Sequence, residues 1–414
     1  MTVSVASRLA HTGEYYFSRK LRELAALNAA GANIISLGIG SPDLPPHPSV
    51  TAALAASAAL PTAHGYQGYQ GTPALRGALA EFYQRHYGVA LDPATEILPL
   101  LGSKEGLMHI GMTFLEAGDA VLIPNPGYPT YRAVAEICGA EVRAYELTEA
   151  HGWLPDLDAL AETDLSAVKL MLVNYPNMPT GASADAAFLT RLVAFAQQHD
   201  ILLVHDNPYG FILNETPPVS LLAVPGARAV AVELNSLSKS HNMAGWRVGL
   251  LAGRADVIAN VLRFKSNMDS GMFLAVQQAA VAALALGDDW FRALNATYRA
   301  RRTLVVALLR ALGCAPAPGQ VGLFIWAAVP AGFADGYALS DAVLAEARVF
   351  LTPGGIFGNN GNGYIRASLC QPEGLLREAL ARVTEWQNAK KARHAERSEA
   401  SLPQQQSNTI ATKR

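Results

Sequence analysis

Lys239 and Arg247 stand eight residues apart in 232-VELNSLSKSHNMAGWRVGLLAG-253, directly after the β-type apolar run 229-AVAVEL-234. A lysine at a strand end, among serines and glycines, is placed for nucleophilic chemistry, although most lysines are solvated surface groups. Ser236-Leu237-Ser238-Lys239 also matches the S-x-x-K pattern of serine acylases. The groups that the chain brings to this lysine decide between the readings.

Four other apolar runs end in unusual polar residues. Ser103 and Lys104 follow 97-ILPLLG-102, and Tyr128 follows 120-AVLIP-124. Asn174 and Asn177 follow 168-VKLMLV-173, and Asp206 with Tyr209 follows 201-ILLVH-205. A helix N-terminus at 102–104, with Ser236, Ser238 and Arg247, suits a phosphate. Tyr128 offers a flat face to a planar ring. Asp206 is a carboxylate at a buried strand end and needs a cationic partner. Lys239 can form a Schiff base with an aldehyde. Phosphate, planar ring, ring cation and aldehyde together describe pyridoxal 5′-phosphate. The serine-acylase reading also needs S-D-N and K-T-G elements, and neither tripeptide occurs.

The elements that must position these residues follow from the same runs. Continuous apolar runs are strands buried on both faces. Their alternation with helices over 103–118, 125–139 and 185–200 (the last capped at Ser183) calls for crossover connections and a mostly parallel sheet flanked by helices. In such α/β sheets the site lies beyond the carboxyl ends of the strands, where the polar residues fall. A helix over 14–30 and another from Thr72 to Gly88 precede the sheet. A long helix over 288–313, strands at 322–329 and 364–370, and a final helix to about residue 389 form a smaller α+β unit built from both chain ends. The expected organisation is 1–45 with the small domain, 46–288 as the large cofactor domain, 289–389 as the C-terminal small domain, and 390–414 as a disordered, polar tail.

Bulk properties exclude other classes. The chain has 414 residues, a net charge of −2 and 50% hydrophobic residues, enough for a large core without a nucleic-acid surface. No membrane span is expected, because 272-MFLAVQQAAVAALALG-287 is short and interrupted by Gln277 and Gln278. Cys138, Cys314 and Cys370 are far apart, which fits a reducing cytoplasm. His109, His205 and His241 lack metal-ligand spacing, so no metal is expected.

The ordered set 38-GIGSPDLPP-46, 102-GSKEG-106, 125-NPGYPTY-131, 174-NYPNMPTG-181, 206-DNPY-209, 236-SLSKSHNMAGWRVG-249 and 364-YIRASLC-370 resembles the class I/II aminotransferases of fold type I, the aspartate-aminotransferase-like family, over roughly residues 14–388. The resemblance implies a pyridoxal-phosphate enzyme that moves an amino group between an L-amino acid and a 2-oxo acid by a ping-pong route. It implies that Lys239 holds the cofactor, Asp206 pairs with its ring nitrogen, Tyr209 bonds the ring hydroxyl and Tyr128 stacks on the ring. Ser103, Lys104 (through backbone amides), Ser236 and Arg247 would hold the phosphate. Arg366, assisted by the amide of Gly40, would clamp the substrate carboxylate. Tyr66 would reach the phosphate of a neighbouring subunit, which makes a homodimer the expected assembly.

One position departs from the pattern. Met178 stands where the family usually has asparagine against the ring hydroxyl, and a thioether cannot donate that bond. Either Asn177 or Asn174 substitutes, or Tyr209 works alone. Asn207, where the family often has glutamate, carries no functional reading. The same fold hosts carbon–sulfur β-lyases that share Lys239, Asp206 and Arg366. It also hosts effector domains of transcription regulators, which need a DNA-binding extension that this chain is not expected to have room for. Bland roles compete as well: a structural ion pair for Arg366, a surface position for Tyr66. Residues near Tyr15, Tyr16, 265–272 and Phe357 would set the side-chain preference; dicarboxylic, aromatic, methionine and diaminopimelate donors all stay open, with the wording of 14-EYYFSRKL-21 and 38-GIGSPDLPP-46 leaning toward the diaminopimelate-type and methionine-type branches.

Overall fold

Seven strands form the central sheet of the computed structural model, which describes residues 3–9 and 13–400, with side chains as far as residue 393. In chain order they are β1 (Ile97–Leu100), β2 (Ala120–Asn125), β3 (Glu141–Glu146), β4 (Val168–Val173), β5 (Leu202–Asp206), β6 (Ala231–Ser236) and β7 (Gly249–Gly253). Their spatial order is β1-β7-β6-β5-β4-β2-β3. All neighbours are parallel except β7, which is antiparallel to both β1 and β6. Successive side chains point to opposite faces of a strand, and here they feed two separate cores. Leu98, Leu100, Val121 and Ile123 join one core, while Ile97, Ala120 and Leu122 join the other. Of the two edge strands, β1 is buried and β3 is largely open to solvent, in keeping with its polar sequence EVRAYE.

The crossover helices cover both faces. Those that matter for the site are α1 (Tyr16–Ala29), α2 (Pro48–Ala58), α3 (Pro73–Tyr87), α4 (Ser103–Phe114), α5 (Pro129–Cys138), α6 (Ala186–Gln198) and the single turn α7 (Leu237–Ser240). Thr72 caps α3 by accepting from the Leu75 amide, Pro73 opens it, and Gly88 closes it at a φ of +67°. The cap of α6 differs from the expected Ser183. Asp185 accepts from the Phe188 amide at 2.7 Å instead, because a cap must immediately precede the first helical residue to reach the free amides.

Beyond α8 (Leu274–Leu284) and the long α9 (Asp288–Ala311), a second, antiparallel sheet holds β8 (Phe324–Ala328), β9 (Thr352–Pro353) and β10 (Tyr364–Ser368), with Ala315–Pro316 along its edge. Between β8 and β9 lies α10 (Gly336–Ala347). The N-terminal segment runs along this unit. Ile35–Ser36 pairs in parallel with Val349–Phe350, and the Leu37 carbonyl accepts from the Ser368 amide at 2.7 Å. Arg301 on α9 grips Asp43 with both arms of its fork, at 2.5 and 2.9 Å, and so fixes the loop after residue 38.

The last helix, α11 (Glu373–Ala400), runs past the boundary expected at residue 389. The polar stretch that reads as a disordered tail is rich in alanine, lysine, arginine and glutamate, all strong helix formers. The remainder of that tail lies outside the described residues. No helix of the described residues is long and apolar enough to cross a membrane.

Candidate active site

Gly249, at the start of β7, is paired with Leu100 on one side and Ser236 on the other. This register puts the residues just before Gly249 between the N-terminus of α4 and the turn that carries Lys239. Arg247 therefore comes up against Gly102 and lines one cavity with Ser103 and Ser236, although it lies far from Ser103 in sequence. The approach depends on Gly102. A Cβ there would lie 2.0 Å from a terminal nitrogen of Arg247, and its φ of +95° is a conformation open mainly to glycine. The Ser236 hydroxyl lies 3.1 Å from the Val248 carbonyl and 2.9 Å from the Ser238 hydroxyl. It makes no bond to Lys239, so the hydroxyl–lysine contact that an S-x-x-K acylase requires is missing.

A cavity of about 580 Å³ opens at these strand ends. Gly40, Ser103, Lys104, Tyr128, Asp206, Tyr209, Ser236, Lys239, Arg247 and Arg366 all line it, as do Asn174 and Met178. Two expected residues do not. Asn177 spends its side-chain carbonyl on the amide and hydroxyl of Thr180 and its NH₂ on the Asn174 carbonyl. Tyr66 is 93% exposed, away from this chain's own cavity. Asn174 reaches the wall, but its amide group is also committed, donating to the Asp206 carbonyl at 2.6 Å and accepting from the Met178 amide at 2.7 Å. Both asparagine side chains are thus engaged in local bonds.

Asp206 is the most unusual group in the cavity wall. One oxygen accepts from the Tyr131 hydroxyl at 2.9 Å; the other is buried with no partner. Burial pushes its pKa up to about 6, against the opposing pull of Tyr131. An orphaned buried acceptor is costly, and a protonated ring nitrogen is the kind of donor that would satisfy it. Lys239 has the complementary property. Burial lowers its pKa, its ammonium donates to the Gly40 carbonyl, and no carboxylate is among its partners. A low-pKa lysine, an unsatisfied aspartate oxygen and a glycine-lined cradle of hydroxyls and guanidinium fit pyridoxal 5′-phosphate.

At the other end sits Arg366, 3% exposed, with no acidic partner. One arm donates to the Gly38 carbonyl at 2.6 Å and the other to the Met178 sulfur at 3.2 Å, while Nε has no acceptor. Three rings surround the guanidinium: Phe324 at 3.8 Å, Phe357 at 4.6 Å and Phe17 at 5.4 Å from the ring centroids. Burial lowers its pKa to about 10, so it stays charged at neutral pH. A buried cation caged by rings and lacking an anion is chemically suited to receive a carboxylate. Gly40 matters to that cage, because a Cβ there would fall 2.1 Å from the Phe324 ring. Phe17 and Phe324 carry no signal at the level of motif, and Tyr131, although it closes 125-NPGYPTY-131, has no role assigned by that segment. Only Tyr131, three residues after Tyr128 on one helix face, is recoverable from spacing.

The Phe357 loop is tied to the large sheet. The Gly127 amide donates to the Phe357 carbonyl at 2.8 Å. Asn125, at the end of β2, donates to Glu146 at 3.0 Å and to Asn359, and Asn360 donates to Glu146 as well. Elsewhere, Glu105, His109 and Asp269 approach within 4.8 Å of one another. The Lys265 ammonium, 2.8 Å from Asp269, already supplies a positive charge there.

An α/β sheet with a Schiff-base-ready lysine, an aspartate and a carboxylate receptor at its strand ends defines a pyridoxal-phosphate enzyme of fold type I. Residues 32–383 match the family model of aminotransferase class I and II, and the chain belongs to that family. It is 41% identical over 381 residues to the LL-diaminopimelate aminotransferase of Nitratidesulfovibrio vulgaris (strain DSM 19637 / Miyazaki F), covering 92% of this chain and 98% of the relative. Substrate-bound BacF from Bacillus subtilis superimposes with a TM-score of 0.89 at 37% identity, over 93% of this chain and 98% of that one. A mutant Thermus thermophilus aspartate aminotransferase does so with a TM-score of 0.86 at 26% identity, over 93% of this chain and 100% of that one. The chain is a transaminase: it moves an amino group, and the serine-acylase reading falls.

Proposed function

We propose that the cavity holds pyridoxal 5′-phosphate and that the amino donor is an L-amino acid whose side chain ends in a second anionic group, LL-diaminopimelate first among them. The observation that carries the reading is one cavity with an unpaired lysine and an unsatisfied aspartate at one end and an anion-free arginine at the other. The bound cofactor supplies an electron-withdrawing ring and a carbon that takes up and yields the amino group. Backbone amides at Ser103 and Lys104, with Ser236 and Arg247, hold its phosphate. Tyr128 covers the ring, Asp206 takes the ring nitrogen, and Tyr209 alone serves the ring hydroxyl. Lys239 anchors the cofactor, then removes the α-proton of the substrate and returns a proton on the cofactor side. Its lowered pKa keeps a larger share in the neutral form that can accept a proton. Arg366 and Gly40 hold the α-carboxylate.

The preference for a second anion rests on Lys104. Its ammonium lies 4.7 Å from the centroid of the Tyr15 ring and forms no ion pair among the described residues, and both side chains line the cavity. The relatives named LL-diaminopimelate aminotransferase point the same way. A panel of amino donors with 2-oxoglutarate, read as glutamate formed, tests it. Donors with a distal carboxylate should exceed aromatic donors in kcat/KM by at least about tenfold, the value of one modest charged contact. Pyruvate and ammonia released from cystathionine without any oxo acid would instead make the enzyme a β-lyase.

The functional unit in this reading is a homodimer, with Tyr66 of each protomer serving the other's phosphate. Tyr66 stands 93% exposed, outside this chain's own cavity, where a neighbouring protomer could receive it. Mixing Lys239→Ala protomers with Tyr66→Phe protomers should restore one intact site per hybrid and raise activity above that of either parent. A monomer in solution, or no recovery on mixing, defeats the idea. The reading places the enzyme in the reducing cytoplasm, in keeping with three free cysteines, and activity in the cytosolic fraction of lysed cells is the check.

A further inference from the structure

We propose that Tyr131 is a positioning residue for Asp206: its hydroxyl fixes one carboxylate oxygen so that the other faces the cofactor's ring nitrogen. The proposal rests on the assignment of Asp206 to that nitrogen. Its own grounds are geometric. Tyr131 sits in the first turn of α5, is 1% exposed, and spends its hydroxyl on Asp206 Oδ2 at 2.9 Å. Its ring meets Tyr128 edge-on at 5.5 Å and 90°, so one helix turn supplies both the wall beside the ring and the clamp on the carboxylate. Asp206 Oδ1 is left buried without a partner. A carboxylate free to rotate about its last bond would share its two oxygens between these positions; the tyrosine removes that freedom.

The clamp also has an electrostatic consequence. Burial is the largest influence on Asp206 and opposes its charge; the Tyr131 bond is the next and favours it. The other groups facing the carboxylate are weaker or neutral. His205 precedes it on β5 and favours the charge, Glu233 on β6 opposes it, and Tyr128 and Tyr209 stay protonated because burial raises their pKa values. Tyr131 is likewise held well above its usual value by burial and remains a donor at every working pH. Without the hydroxyl, Asp206 protonates more readily, and the form that can hold a ring cation is lost at a higher pH.

The test uses the cofactor-loaded enzyme. In Tyr131→Phe the acidic limb of kcat/KM against pH should move up by about one unit, the effect of one charged hydrogen bond. The dissociation constant for the cofactor should rise about tenfold at the acidic end. Tyr145→Phe is the structural control. Tyr145 is also buried and donates to the Leu172 carbonyl at 2.8 Å, with no bond to Asp206. It should lower Tm and leave the pH profile in place. If Tyr131→Phe does not fold, 3-fluorotyrosine at position 131 keeps the shape, strengthens the donor, and should move the limb in the opposite direction. A wild-type limb in either Tyr131 variant overturns the proposal. Asp206→Asn separates this failure from a failure of the underlying reading. If it is impaired while the Tyr131 variants are normal, only the clamp is wrong; if it binds cofactor and turns over normally, the assignment of Asp206 falls too.

Discussion

Lys239→Ala should retain the fold and lose at least about 10²–10⁴ in turnover, the usual value of a positioned general base. The loss has two parts. Lys239 lines the cavity with its pKa lowered by burial, and its ammonium donates to the Gly40 carbonyl with no carboxylate among its partners. On the proposed roles, removing it would take away the proton carrier and the covalent anchor together. Borohydride reduction followed by mass spectrometry should therefore find the cofactor fixed to Lys239 in the parent enzyme and no adduct in the variant. Lys104→Ala, which removes the other cavity lysine, should keep the adduct. A small primary amine added to Lys239→Ala should restore part of the turnover, because a soluble base can replace the proton carrier but not the anchor. Undiminished transamination by Lys239→Ala would remove the basis for the whole site.

Arg366→Lys should act on a different kinetic constant. In the proposed role the guanidinium would present a planar fork to the α-carboxylate, with the rings of Phe324, Phe357 and Phe17 around it. A lysine keeps the charge but not the fork, and a compact ammonium fits a cage of rings less well than a guanidinium. One charged hydrogen bond is worth about 1.5–3 kcal/mol, so KM for the amino acid should rise about 10–10²-fold, with kcat changed much less. Amines that lack a carboxylate provide the internal control and should react equally slowly with both enzymes. An unchanged KM would mean that Arg366 is a structural group and that the carboxylate is held elsewhere.

Much of this was legible in the sequence, for identifiable reasons. The buried strands announce themselves as continuous apolar runs, and the parallel-sheet rule then predicts where their polar ends meet. Lys239, Asp206, Tyr128 and Ser103 follow from that rule, whereas Arg247, which precedes its strand, is marked by its spacing from Lys239. What stayed hidden was tertiary in origin. Helix α2, PSVTAALAASA, packs on α8 and is nearly apolar all round, so it shows no amphipathic period. The extension of α11 to Ala400 reads as disorder because its residues are polar, although their helix propensity is high. The asparagines around Met178 look interchangeable on paper. Only the backbone bonds made by Asn174 and Asn177 show that both are already occupied. The ring cage around Arg366 draws one phenylalanine from each of three distant segments, and no local pattern encodes that.

The bonds that tie Asn359, Asn360 and Phe357 to the end of β2 bear on the entropy of binding. They join the wall proposed to receive the substrate's carboxylate to the strand end that carries Tyr128. The two ends of the cavity are thus one preassembled frame. An incoming amino acid does not have to order a loose loop at the moment of binding, and the freedom already surrendered on folding need not be surrendered again.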